Sequence, residues 1–216
     1  MAAKTPLHVG IIPDGNRRWA RLHRVPVATA YEVGYNRIIS IVDSLYDIGV
    51  RYVTVYAASL ENCERRSRLE RSLLARLAVR AIERLRRDPR VERGEVRVLV
   101  MGKPCLLGDN VARAARSINL ETRWGEPRIL AVLLCYSDRL ENWRVSRGML
   151  AEASLHLPPI DLVIRTGGYK RLSGFALPLT GYSELYVTPT LWPDFDRSEL
   201  EKALAWYAGV VRNFGR

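Results

Sequence analysis

Apolar residues follow two alternating patterns along this chain: short runs and longer helical repeats. The first run covers residues 8–12, and apolar positions then recur every three or four residues over 31–48, where Gly49 ends the repeat. Short runs rich in β-branched residues predict strands, and the longer repeats predict helices. The further predicted strands are 51–57, 96–101, 129–135, 161–165 and 183–187, and the further predicted helices are 67–87, 109–118, 137–154 and 199–211.

The alternation of strands with helices indicates an α/β fold with a central, mainly parallel sheet flanked by helices. No linker rich in Ser, Gly or Pro interrupts the chain, so we expect a single domain over residues 1–216. No apolar run approaches the roughly 20 residues that a membrane helix needs. The N-terminus lacks the apolar stretch of a signal peptide, so we expect a cytoplasmic protein.

The cysteines and the net charge narrow the class of protein. Cys63, Cys105 and Cys135 form no CxxC pair and are widely spaced, so we expect them to be reduced and structural. The formal net charge is +11, which fits nucleic acid, an anionic membrane surface or phosphorylated small molecules equally well. The sequence shows no recognition helix, RNA-binding signature or zinc spacing, so we expect no nucleic-acid partner.

The first candidate site follows the strand at 8–12, where Pro13 and Gly15 predict a turn. This turn places Asp14 at the carboxyl edge of the sheet, the edge at which α/β proteins bind ligands. A carboxylate here can recruit Mg²⁺, while Arg17 and Arg18 grip diphosphate oxygens in forked hydrogen bonds. The alternative is an ordinary turn whose basic residues are solvated.

The second candidate site follows the strand at 161–165. Gly167 and Gly168 allow backbone N–H groups to approach a phosphate closely, and Arg165, Arg171 and Ser173 supply further donors. A Gly-Gly turn between basic residues is more often structural when it stands alone. Two such clusters at strand ends together predict adjacent sites for two diphosphate groups.

Four segments in register resemble the cis-prenyltransferases, the family of undecaprenyl diphosphate synthase. They are HVGIIPDGNRRWA, VYAASLENCERR, DLVIRTGGYKRLSGF and YSELYVTPTLWPDFD, and they extend over nearly the whole chain. The resemblance implies a homodimeric α/β protein that condenses isopentenyl diphosphate with an allylic diphosphate, farnesyl or geranylgeranyl diphosphate. The product would be a Z-polyprenyl diphosphate for lipid carrier synthesis, and its apolar chain suggests peripheral contact with a membrane.

The resemblance also implies roles for individual residues. Asp14 would be catalytic and would hold Mg²⁺ together with Glu184, and Asn62 would orient groups at the reacting centre. The isopentenyl diphosphate would be held by Arg165, Arg171 and Ser173. The allylic diphosphate would be surrounded by Gly15, Asn16, Arg17, Arg18, Trp19, Ser59 and Arg65.

Some positions depart from the family pattern, among them Val27, Tyr31 and Tyr169, and the C-terminal motif contains Asn213. One alternative is therefore a noncatalytic subunit of a two-component synthase, although such subunits tend to lose the aspartate retained here as Asp14. A metal-dependent phosphatase acting on isoprenoid diphosphates is a further alternative.

Residues 69–85 and 130–134 are expected to line a product tunnel, and Leu133 and Leu134 predict a shorter product.

Overall fold

The computed structural model describes residues 5–138 and 157–212, so the helix predicted over 137–154 lies almost entirely outside the described residues. The strands are β1 (His8–Ile12), β2 (Tyr52–Ser59), β3 (Val96–Gly102), β4 (Arg128–Tyr136), β5 (Leu162–Arg165) and β6 (Glu184–Val187). The α-helices are α1 (Asn16–Leu22), α2 (Val27–Asp47), α3 (Leu60–Arg65), α4 (Arg68–Arg86), α5 (Pro89–Glu92), α6 (Asp109–Glu121) and α7 (Arg197–Ala208).

The strands form one six-stranded sheet in the order β3-β4-β2-β1-β5-β6. The pairs β1–β5, β3–β4 and β5–β6 are parallel. Every residue of β1 and of β5 is buried, as expected for parallel strands covered on both faces. The predicted α/β class with a parallel central sheet is confirmed.

The chain divides into two compact units. The first contains residues 1–53, 158–172 and 178–216. Within it, α2 buries a row of apolar side chains, and the indole of Trp192 donates a hydrogen bond of 2.8 Å to the carbonyl of Gly34 on that helix. The ring of Trp192 also stacks on Phe195, with centroids 5.6 Å apart. A single domain over 1–216 stays a prediction.

The second unit contains residues 54–157 and 173–177. Its core includes Val98, Ile118 and Leu133, each with no exposed surface. Along α4 only Ala75 and Ile82 are buried, and Leu69 is 77% exposed. No helix in the described part of the chain has both the length and the apolar composition needed to cross a membrane.

The expectation that all three cysteines are reduced is wrong. Cys63 on α3 and Cys135 on β4 form a disulfide, with Cα atoms 5.6 Å apart and a separation of 72 positions in sequence. The two residues meet because α3 packs against β4, a contact that sequence spacing does not reveal. Cys105 is exposed and carries a free thiol.

Candidate active site

Two neighbouring strands of the first unit bring the two predicted clusters together. In the β1–β5 pair, Ile12 lies opposite Arg165, and these are the last residues of their strands. Asp14 follows the end of β1, so it lies at the same edge of the sheet as Arg165. Oδ2 of Asp14 lies 2.9 Å from Nη2 of Arg165. The side chain of Arg165 is only 4% exposed, whereas that of Asp14 is 32% exposed. The site therefore pairs a buried cation with a carboxylate that solvent reaches.

Three hydrogen bonds with Thr166 and Trp192 hold the backbone of Asp14 in place. Its N–H donates to Oγ1 of Thr166 over 2.9 Å, and its carbonyl accepts from the same hydroxyl over 2.8 Å. That carbonyl also accepts from the backbone N–H of Trp192 over 3.0 Å. Because Thr166 and Trp192 both form hydrogen bonds with the turn, the backbone that carries the Asp14 carboxylate is held in a fixed position.

Arg18 joins the same cluster from α1. Its Nη2 lies 3.4 Å from Oδ1 of Asp14, and its Nη1 donates to the carbonyl of Gly167 over 2.8 Å. Gly167 has a φ of +79°, and a Cβ there would overlap the Arg18 guanidinium. The glycine is thus required both by its left-handed backbone and by the close approach of Arg18.

Three guanidinium groups lie within about 6 Å of the centre of the Tyr169 ring. Their central carbon atoms lie 4.2 Å from the ring centroid for Arg171, 4.9 Å for Arg18 and 5.8 Å for Arg165. Nη1 of Arg165 also donates to the carbonyl of Arg171. Cation–π attraction to one ring offsets part of the repulsion among these like charges. The result is a cluster of three positive charges, with Arg171 as its exposed member.

The remaining residues of the first motif have different surroundings. Gly15 has a φ of +116° and precedes α1, and Arg17 is exposed. Asn16 turns its amide toward Gly34 of α2, where an added Cβ would overlap its Oδ1. The indole of Trp19 donates to Oδ1 of Asp194 over 2.7 Å. In this structure Trp19 thus ties α1 to the segment at Asp194, while Asn16 packs closely against Gly34 of α2.

Glu184 stands apart from Asp14 within one chain, and a metal ion held by both residues stays a prediction. In the parallel β5–β6 pair, Glu184 lies opposite Leu162, whereas Val187 lies opposite Arg165. Glu184 therefore stands about 10 Å back along the sheet, at the amino end of the strands. Its carboxylate lies 4.0 Å from Nε of Arg212, which also pairs with Asp161.

The other predicted residues belong to the second unit. Ser59 caps α3, and its hydroxyl accepts from the backbone N–H of Asn62 over 3.2 Å. Arg65 is exposed at the end of the same helix. The carbonyl of Ser173 accepts from the hydroxyl of Tyr56 over 3.2 Å. The roles of Ser59, Asn62 and Arg65 at the reacting centre, and of Ser173 in holding isopentenyl diphosphate, stay predictions.

Sequence reasoning missed three contributors to the site: Thr166, Tyr169 and Trp192. Thr166 and Tyr169 lie inside the second motif, but only the register of β1 and β5 shows that they face the first. Trp192 offered a weaker signal, because a Trp-Pro pair after a strand indicates a buried turn without indicating its neighbour. Among the described residues, no group of three His, Cys, Asp or Glu side chains is arranged to hold a metal ion.

Comparisons with known proteins agree on the kind of protein that this chain resembles. A family model described as putative undecaprenyl diphosphate synthase matches residues 12–215. A tritrans,polycis-undecaprenyl-diphosphate synthase (geranylgeranyl-diphosphate specific) of Aeropyrum pernix is 38% identical, covering 98% of this chain and 99% of that protein. A synthase of the same name from Sulfurisphaera tokodaii is 33% identical, covering 97% of this chain and 88% of that protein.

A solved structure is similar over the same length. Lavandulyl diphosphate synthase from Lavandula x intermedia, in complex with dimethylallyl diphosphate, superposes with a TM-score of 0.85 at 27% sequence identity. The match covers 98% of this chain and 99% of that one. The similarity thus extends through both units and is not confined to one motif.

Proposed function

The chain belongs to the undecaprenyl diphosphate synthase family, the cis-prenyltransferases, and on that premise we propose that it condenses isopentenyl diphosphate with an allylic diphosphate. The observation that carries the proposal is the cluster of Asp14, Arg18, Arg165 and Arg171 at adjoining strand ends. Two diphosphate substrates that react with each other must be held side by side. A cluster of guanidinium groups around one carboxylate meets that requirement.

The allylic primer that we propose is geranylgeranyl diphosphate. The names of the Aeropyrum and Sulfurisphaera relatives give that specificity, and both proteins align over nearly the whole of this chain. Farnesyl diphosphate is the alternative primer. The product is a Z-polyprenyl diphosphate that serves as a precursor of a lipid carrier.

Each diphosphate has its own set of donors in this proposal. Arg17 and Arg18 hold the allylic diphosphate beside Asp14, while Arg165 and Arg171 hold the isopentenyl diphosphate. Arg165 is buried and already oriented by Asp14, so it loses little freedom when the substrate binds. Arg171 is exposed and stacked on Tyr169, so it meets the incoming substrate first.

The donor set at Asp14 fits Mg²⁺ that arrives with a diphosphate. Mg²⁺ is commonly held by one or two carboxylates, substrate phosphates and water, and Asp14 offers one solvent-accessible carboxylate. When bound, the ion would neutralise charge that develops on the departing diphosphate. Within one chain Asp14 is the residue that we assign to it. Glu184 lies at the other end of the sheet.

The reaction needs positioning and electrostatic stabilisation more than covalent chemistry. The allylic C–O bond breaks, and its electron pair leaves with the diphosphate, whose new charge Arg18 and its neighbours stabilise. The alkene of isopentenyl diphosphate supplies the electron pair of the new carbon–carbon bond. Loss of a proton to a base then restores a double bond. Asn62 is neutral, so it can orient a substrate but cannot serve as that base.

The direct test incubates the purified chain with labelled isopentenyl diphosphate, Mg²⁺ and either geranylgeranyl or farnesyl diphosphate. We expect elongated apolar product from the single chain, with the geranylgeranyl primer used more efficiently. No turnover with either primer would favour the noncatalytic subunit. Release of phosphate without a carbon–carbon bond would instead support the phosphatase alternative.

We further propose that the enzyme acts as a homodimer in the cytoplasm, with peripheral contact at the membrane that receives its product. Mass measurement in solution tests the dimer: a monomer at assay concentration would contradict it. Flotation with lipid vesicles tests the membrane contact. The positive net charge and the apolar product support that contact.

A further inference from the structure

The second unit contains a basic groove whose lining residues hold neither diphosphate in the proposed reaction. It lies between α4 and the segment that enters α6, and its volume is about 500 Å³. Three arginines of α4 line one wall, Arg68, Arg71 and Arg76, and none of the described lining residues is acidic. A concave surface with this charge favours an anion.

The three arginines are not neutralised by carboxylates of the described residues. Arg76 donates to the hydroxyl of Ser72 over 3.1 Å, and Nε of Arg71 is buried with no hydrogen-bond partner among the described residues. The last turn of the same helix differs, since Arg86 pairs with both Glu83 and Glu121 at 2.6 Å. The positive charge in the groove is therefore available to a ligand.

The opposite wall adds donors of another kind. Gly108 and Asn110 line it at the start of α6, a 13-residue helix that begins without a side-chain cap. The first backbone N–H groups of such a helix have no partner within it, and they favour negative charge, part of which Asp109 in the first turn already supplies. Leu106 and Leu107 complete the lining on that side.

From these walls we propose that the groove is a second anion site, which binds a phosphate-bearing ligand through residues that do not belong to the cluster around Asp14. Guanidinium forks match phosphate oxygens, and several of them together favour a multiply charged group over a single carboxylate. The ligand is either a free phosphate compound or a phospholipid headgroup, since both present the same chemistry. The site does not depend on the proposed prenyl transfer.

Cys105 provides a local readout, because it lines the groove and is the only free thiol of the chain's three cysteines. The full-length protein is treated with N-ethylmaleimide without reductant, and mass spectrometry of the peptides measures alkylation at Cys105. One arm adds inorganic pyrophosphate at constant ionic strength. The other adds vesicles of phosphatidylcholine, with or without phosphatidylglycerol.

We expect saturable protection of Cys105 in one of the two arms, and the arm that protects identifies the source of the phosphate. The double variant Arg68→Gln/Arg71→Gln should raise the midpoint of protection about tenfold or more, because charge-assisted hydrogen bonds are lost. The matched variant Arg80→Gln/Arg84→Gln removes the same charge from the same helix and should keep the wild-type midpoint.

Absence of protection in both arms would overturn the proposal, as would equal midpoints for the two double variants. Prenyl transfer is measured on the same preparations. Protection of Cys105 needs no prenyl transfer, so it reports on the groove whether or not the chain catalyses that reaction. A failure of the groove is thereby distinguished from a failure of the proposed reaction.

Discussion

Asp14 and Arg165 lie 151 positions apart in sequence, yet their side chains are joined by an ion pair of 2.9 Å at the ends of two parallel strands. The pair links the first predicted cluster to the second. Arg165 is buried, whereas Asp14 is not. We therefore expect activity to be more sensitive to replacement of Arg165 than to replacement of Asp14.

Arg165→Lys should lower activity strongly while retaining the charge. Lysine lacks the planar fork that reaches both Asp14 and the carbonyl of Arg171, so we expect kcat/KM to fall about 100-fold or more. Steady-state kinetics measures this fall. Arg197→Lys is the matched control, since Arg197 pairs with Glu201 at the surface. Equal kinetics for the two variants would contradict the assigned role.

Tyr169→Leu should weaken binding of isopentenyl diphosphate. Without the ring, Arg171 loses the surface on which its guanidinium is stacked, so we expect KM to rise about two- to fivefold with a smaller change in kcat. Tyr169→Phe keeps the ring and should keep the wild-type KM. A rise of the same size in both variants would show that the hydroxyl matters and the stacking does not.

The first cluster shows which parts of the site could be predicted from the sequence. Strand β1 was predicted with the bounds observed, His8–Ile12, because a buried apolar run ends sharply at Pro13. Helix α1 was missed, since Pro13 to Asn16 has the composition of a turn and the helix has only seven residues and no side-chain cap. The place of Glu184 at the amino end of β6 depends on strand register, a tertiary property that the sequence does not show. Its role beside Asp14 rests on the family resemblance and stays a prediction.

The Cys63–Cys135 disulfide should contribute a measurable share of stability. In the chain-entropy account, a cross-link that closes a loop of 72 residues stabilises the fold by roughly 4 kcal/mol. We expect Cys63→Ser/Cys135→Ser to lower the free energy of unfolding accordingly, measured by denaturant titration. Cys105→Ser removes an exposed thiol and should change it little. Three reactive thiols in the unfolded, unreduced protein would contradict the disulfide.

His8 should make the stability depend on pH. Burial lowers the pKa of His8 to about 4, against an ordinary value of 6.5, although a hydrogen bond to the carbonyl of Pro158 partly opposes this shift. The unfolded chain thus takes up a proton between pH 6.5 and pH 4 while the folded chain does not. The contribution is fully present above pH 6.5 and declines as the pH falls, by roughly 3 kcal/mol in all.

Unfolding titrations across this pH range test the prediction. His8→Asn should flatten the decline, because asparagine does not titrate. His23→Asn replaces an exposed histidine and should keep the wild-type profile. A wild-type profile that matches that of His8→Asn would contradict the assignment.

Leu133→Ala should lengthen the product if β4 lines the product tunnel. Leu133 is fully buried, so the substitution also opens a cavity and destabilises the fold by about 2 to 5 kcal/mol. Leu99→Ala on the adjacent strand β3 creates a comparable cavity and serves as the control for destabilisation. Chromatography of the products separates the two effects. Unchanged product length in Leu133→Ala would refute the tunnel assignment.

Elongation by Asp14→Ala, with isopentenyl and geranylgeranyl diphosphates as substrates, decides whether the Asp14 carboxylate takes part in the reaction. Asp47→Ala, which removes an exposed carboxylate at the end of α2, is the matched control. We expect Asp14→Ala to fold but to lose elongation by about 100-fold or more, while Asp47→Ala elongates at the wild-type rate. Elongation at the wild-type rate by Asp14→Ala would contradict that expectation.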